Sequence, residues 1–170
     1  MERAVSVVIG GILGNLYAVL FVVALVVWLV KMRRARAPLG WAYVLWGELL
    51  FYTVGVGFAY AGLMHAYAQS TVAPLIGWQP SPFEYELGWC EVGLAVVALM
   101  SLRRGSEFRL AATLAFAIFS FAAAAQHIAQ MRCCANFAPG NAGGVLWFGD
   151  LFLPALLLVL AALARRGAQT

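Results

Sequence analysis

Five long apolar runs dominate the chain and decide what it can fold into. A helix that crosses the hydrocarbon core of a bilayer needs about 20 consecutive, mostly apolar residues. The runs are Val5 to Val30, Trp41 to Ala66, Phe83 to Leu102, Phe108 to Met131 and Gly144 to Leu163. Of 170 residues, 64% are hydrophobic and only 11% are charged, against roughly 25% charged in a soluble domain. That leaves too little polar surface for a protein in water, so lipid has to cover much of it. In lipid each run must be helical, because its backbone N–H and C=O groups have no water to bond. The expected fold is all-α: an integral membrane bundle of five transmembrane helices. It forms one domain over residues 1–170, with spans at about 5–30, 41–66, 83–102, 108–131 and 144–163.

Charge placement sets the expected orientation. Lys31, Arg33, Arg34 and Arg36 follow the first run, Arg103, Arg104 and Arg109 separate the third from the fourth, and Arg165 and Arg166 follow the fifth. With five spans these three places share one side, and Lys/Arg enrichment marks that side as cytoplasmic. The N-terminus then lies outside and the C-terminus inside, with Arg3 and Arg132 the basic residues facing outward. The first run is longer than a signal-peptide core and is read as a retained helix. A net charge of +4 split into short juxtamembrane clusters is a topology signal. It is not a nucleic-acid surface, which needs an extended basic face. The expected partner is the lipid bilayer, with a homo-oligomer or a partner in a membrane complex left open. Gly10 with Gly14, Gly55 with Ala59 and Gly57 with Ala61 have the small-xxx-small spacing that lets helices approach closely.

Ionisable residues inside apolar runs are expensive and usually functional. On this topology His65, Glu91, His127 and Asp150 converge on the outer half of the bilayer, while Glu48 stands alone near the inner side. Ser81-Pro82-Phe83-Glu84 reads as a capping box, with Ser at the N-cap and the Glu84 carboxylate on the Ser81 N–H. That assigns Glu84 a structural role, whereas Glu86, in the same turn, is either a dipole partner or a site residue. Glu91 lies about 10 Å further along the helix and on nearly the same face as Glu84. Asp150 is either a pocket carboxylate or the N-cap of a short last helix. Pro154, four residues on, cannot bond its carbonyl. The Thr71–Phe83 segment, with three prolines, is expected to lie along the interface with Trp78 at headgroup depth.

These residues permit several chemistries. Imidazole plus carboxylate can ligate a transition metal, with Glu86, His127 and His65 as candidates, although no spacing typical of a metal site occurs on one helix. Two histidines on different helices can also hold a haem. The same groups could form a proton relay or solute path, or could only tie helices together. No phosphate loop or dinucleotide fingerprint is present. The adjacent Cys133 and Cys134 face the oxidising side, and Cys90 has no C-x-x-C partner. No cofactor follows from the residues.

Three stretches resemble an uncharacterised prokaryotic family of small multi-span membrane proteins: Ser81-Pro82-Phe83-Glu84-Tyr85-Glu86-Leu87-Gly88, His127-Ile128, and Asn136-Phe137-Ala138-Pro139-Gly140-Asn141-Ala142-Gly143. The similarity covers roughly the second half of the chain. It implies a multi-pass protein of the prokaryotic plasma (inner) membrane and brings no assigned activity. The motif match singles out Glu86, His127, Asn141 and, less directly, Asp150. Cys90 and Glu91 stand where such sequences often carry Ala or Asn. The expected pocket is therefore Glu86, His127, Asp150, Glu91, His65 and Asn141. The leading functional reading is a non-enzymatic protein that binds or passes a small solute or ion. The alternatives are a metal or haem redox protein and an accessory subunit with structural polar groups.

Overall fold

A computed structural model describes residues 15–35 and 40–166. The start of the first run, with Arg3, Gly10 and Gly14, lies outside the described residues, as does Arg36. Every described regular element is helical. Helix α1 (Leu16–Arg34) is followed by α2 (Trp41–Tyr67), the short α3 (Gln69–Ile76), α4 (Pro82–Ser101), α5 (Ser106–Cys134) and one turn, α6 (Pro139–Ala142). The last helix, α7, begins with a π-helical stretch, Val145–Phe152, and continues as Leu153–Arg166. Leu16–Arg34, Trp41–Tyr67, Ser106–Cys134 and Pro139–Arg166 are long and apolar enough to cross a membrane. Helix α4 has 20 residues but carries Glu84, Glu86 and Glu91.

Helix α2 changes to π register in mid-course, at Leu50–Val56, and α7 starts in it, at Val145–Phe152. In α2, the Thr53 hydroxyl donates to the Leu49 carbonyl, a local bond that competes with the helix ladder. In α7 the Leu153 N–H reaches back five residues to the Phe148 carbonyl, just ahead of Pro154, which has no N–H to give. The helix therefore continues through Asp150. The short-helix reading, with Asp150 as N-cap, is overturned because the π register absorbs the missing donor.

The core lies where α2, α5 and α7 meet. Trp46, Leu49, Leu50, Val54, Phe58, Phe116, Leu153 and Leu157 are all buried there. Phe58 meets Phe116 edge-on at 5.1 Å and Phe119 at 5.6 Å, a geometry that aromatic quadrupoles favour. The Trp46 indole donates to Thr113 Oγ1 at 2.8 Å, satisfying the one polar atom of the largest buried side chain. Helices α2 and α4 approach most closely at Gly62 and Gly88. A Cβ on either would run into the other's backbone carbonyl. Two glycines whose spacings were expected to permit close contact also do so. Gly55 admits Leu99 and Gly57 admits Tyr17.

One end of the bundle collects the basic residues. Lys31, in the last turn of α1, bonds Glu48 at 2.6 Å. Glu48, which the sequence left standing alone, is thus the ion-pair partner of Lys31. Arg165 meets Glu107 at 2.7 Å. Arg109 is not a surface topology charge, since its side chain is buried. Its guanidinium donates to the carbonyls of Ser101 at 3.0 Å, Leu102 at 3.1 Å and Tyr43 at 2.8 Å. It also lies 4.1 Å from the centroid of the Tyr43 ring. The first turn of α5 is thereby tied to the carbonyls ending α4 and to the start of α2.

Two predictions follow from this packing. Arg109→Leu strips three carbonyls of a charged donor and should lower stability by about 2–3 kcal/mol. Arg109→Lys should recover only part of it, because a point charge cannot reproduce the fork. Denaturant or thermal melts in detergent read both, and an unchanged R109L melt contradicts the role. Gly88→Leu should separate α2 from α4 and lower the melting temperature sharply. Gly93→Leu, with nothing within 4 Å of its Cβ, should leave it nearly unchanged.

Candidate functional site

The opposite end holds histidines and carboxylates. His127 comes from the C-terminal third of α5 and is buried. Its Nδ1 is 2.7 Å from Asn141 Oδ1. The Asn141 amide nitrogen donates to two backbone carbonyls, His127 at 3.2 Å and Asn136 at 2.8 Å. Asn141 has no exposed surface at all, and every polar atom of its side chain is used. The other ring nitrogen, His127 Nε2, faces Asp150 Oδ2 at 3.7 Å. Asp150 comes from the π-helical entry of α7, which turns it inward.

Asp150 also lies within electrostatic range of Glu91 on α4, and both carboxylates lie within range of Tyr17 on α1. Tyr17 is held there by an edge contact with Phe58 and by the space over Gly57. Four helices thus contribute to one group, the buried Glu91, His127 and Asp150 with the half-buried Tyr17. A second pair, His65 Nδ1 and Glu84 Oε2 at 3.5 Å, joins the end of α2 to the start of α4.

The segment between α2 and α4 closes this end. Pro74 sits inside α3, and the helix stops at Gly77. That residue adopts a left-handed φ of 78°, a conformation that costs glycine nothing. A Cβ there would also strike the Asn136 amide. Asn136 donates to the Ile76 carbonyl at 2.9 Å, and Gly140 packs its backbone on Leu75. The turn through residues 136–141 is therefore stitched to the end of α3. Trp78 then stacks on the His127 imidazole, with centroids 6.1 Å apart and planes 25° apart. Trp78, expected along the interface, is half-buried with its indole N–H turned inward.

The capping box is corrected too. The Ser81 side chain makes no cap bond, and Glu84 is buried, turned toward His65 rather than back onto Ser81. Its neighbour Glu86 is exposed, so it lies apart from the buried group. Glu84 and Glu91 share the inner face of α4, and two residues of helix turn Glu86 away from that face. Of the six expected pocket residues, His127, Asn141, Asp150 and Glu91 come together. His65 pairs with Glu84, and Glu86 remains outside. Glu84, Tyr17, Trp78 and Asn136 were not singled out as site residues. The i, i+7 relation of Glu84 to Glu91 and the second asparagine of the Asn136–Asn141 stretch were the available signals.

Several buried polar atoms have no hydrogen-bond partner: both Glu84 carboxylate oxygens, Glu91 Oε2, Asp150 Oδ2, His65 Nδ1 and Trp78 Nε1. Among the described residues no group of three or more His, Cys, Asp or Glu side chains is placed to hold a metal ion. The two histidines face separate carboxylates. Cys133 and Cys134 are in disulfide contact with each other, and Cys90 is exposed and free. An open groove of about 600 Å³ over Ala125, Ile128, Ala129, Arg132 and Cys133 does not include the His127 group.

No curated protein and no solved structure matches the chain. A family of unknown function, DUF6790, matches residues 14–170, nearly the whole of it. With its apolar, all-helical architecture, this chain belongs to the DUF6790 family.

Proposed function

We propose that this is a non-enzymatic, five-span protein of the prokaryotic inner membrane that binds or passes a small cation at its outer polar cluster. The N-terminus is outside and the C-terminus cytoplasmic. Clustering of Lys31, Arg103, Arg104, Arg165 and Arg166 at the end opposite the histidines supports the orientation. Helix α4 is counted as a span because it packs along α2 with its carboxylates turned inward or held near its outer end.

The observation that carries the reading is the pair of buried carboxylate oxygens without a hydrogen-bond donor, Glu91 Oε2 and Asp150 Oδ2. Each unsatisfied buried group costs about 1–3 kcal/mol, more when charged. A chain that only needed to tie its helices together would pair these oxygens with side-chain donors. A positively charged occupant satisfies them instead. The tight packing around His127 favours a small ion over an organic solute. Glu91, Asp150 and His127 form the proposed site, Asn141 positions His127, and the separate His65–Glu84 pair and exposed Glu86 stand outside it.

Thermal melts of the detergent-purified protein test this. The protein would be held in a bulky organic cation as background, and sodium, potassium, ammonium or methylammonium added. One of them should raise the melting temperature by several degrees, since a hundredfold excess over Kd contributes about 2.7 kcal/mol. The double variant E91Q/D150N should lose that shift while remaining folded. If no cation moves the wild type, or if the shift survives in the double variant, the reading fails.

A further inference from the structure

The groove of about 600 Å³ on α5 is lined by Ala125, Ile128, Ala129, Arg132 and Cys133. These residues recur at three- and four-residue spacing, so they share one face of the helix, turned away from His127. All but the half-buried Ile128 are exposed. Leu114, Ile118 and Phe121 continue the same stripe toward the basic end and are exposed as well. Large apolar side chains thus give way to two alanines, and the trough they leave ends at an arginine. At 1.5 Å per residue, Ala125 and Arg132 are about 10 Å apart along the axis. That distance fits within one leaflet of a hydrocarbon core about 30 Å thick.

Arg132 is exposed and forms no ion pair among the described residues. The other described arginines, and Lys31, belong to the opposite end of the bundle. A basic residue in the last turn suits the helix dipole, which accounts for the charge but not for the trough beside it. The groove is apolar along its length and positive at its outer end, the complement of an acyl chain that ends in a phosphate. We propose that it seats one anionic phospholipid, a diacyl lipid with a single net negative charge such as phosphatidylglycerol. The phosphate meets the Arg132 guanidinium, whose planar fork suits its oxygens, and one acyl chain lies along Ala125 and Ala129.

A second copy of the chain is the competing occupant, since alanines let helices approach closely. Charge decides against it. A twofold interface pairs the same patch on both copies, so each Arg132 would face its counterpart, and no carboxylate lines the groove to neutralise either. A zwitterionic lipid fills the trough equally well, but its own ammonium competes with Arg132 for the phosphate. One unpaired cation matches one net negative charge. The lipid site is separate from the proposed cation site and uses the proposed orientation only to name the outer leaflet.

Photo-crosslinking in lipid nanodiscs tests the site by position. The full chain is placed in phosphatidylcholine with a small fraction of either phosphatidylglycerol or phosphatidylcholine that carries a diazirine in the acyl chain. Labelled peptides are then mapped by mass spectrometry. The segment 125–133 should take about fivefold more label from the glycerol lipid than from the choline lipid, the order expected of one basic residue at an anionic headgroup. The exposed α1 face at Val22 and Val26 should show no preference. R132Q should abolish the preference at 125–133, and R132K should keep part of it. A125L/A129L, at exposed positions that fill the trough, should lower labelling of the segment by the glycerol lipid without moving the melting temperature. Equal labelling by the two lipids in the wild type overturns the proposal, as does a preference that survives R132Q. Protection of the segment from both lipids, together with crosslinked dimers, overturns it in favour of a second copy. These measurements need no added cation, so a silent cation panel and a missing lipid preference remove separate readings.

Discussion

A polar atom buried under lipid has no water to fall back on, and this requirement shapes the chain from end to end. It makes the apolar runs helical and forces the ends of those helices to find partners inside the protein. At the basic end it is met among the described residues. Arg109 gives its guanidinium to three carbonyls, and Lys31 neutralises Glu48. The Trp46 indole is spent on Thr113. That end is a closed set of donors and acceptors, and its work is to fix α2, α4, α5 and α7 relative to one another.

At the other end the requirement is met only in part. Asn141 is fully used, and through it His127 is oriented. Beyond His127 the bonding stops, and Asp150, Glu91 and Glu84 present oxygens with no donor. The contrast within one small bundle is informative. The fold can satisfy buried charge where that is all it needs, so an unsatisfied group at the opposite end reads as a place kept for something positively charged. The positioning elements fit that reading. The π-helical entry of α7 directs Asp150 inward, the left-handed turn at Gly77 lets Asn136 close on α3, and Trp78 covers the imidazole.

Much of this was legible in the sequence, and the limits have physical causes. Hydropathy alone locates the long helices, because the span length is set by the bilayer and not by any detail of packing. Depth within the runs marks Glu91, His127 and Asp150. Glu84 was misread because a complete local explanation, the capping box, competed with the longer-range one. Only tertiary contact with His65 decides between them. Glu86 drew attention through a motif, yet the face shared by Glu84 and Glu91 already turns it outward. Arg109 lay hidden in a basic cluster whose other members, Arg103 and Arg104, are exposed. Trp78 was assigned to the interface because exposed aromatics usually belong there, and nothing local reveals an imidazole about fifty residues away. The π stretch in α7 had a visible cue in Pro154. The one in α2 had none.

The central claim is that the buried carboxyl groups at the histidine end are neutralised by an occupant and not left as bare charges. Infrared difference spectroscopy of the carboxyl stretch reads this most directly, in membranes, with E91Q and D150N as assignments. The account predicts protonated-carboxyl or cation-bound signals from Glu91 and Asp150 near neutral pH, changing when pH is raised or a binding cation is added. Signals of free carboxylate at both positions, indifferent to pH and cations, would contradict it.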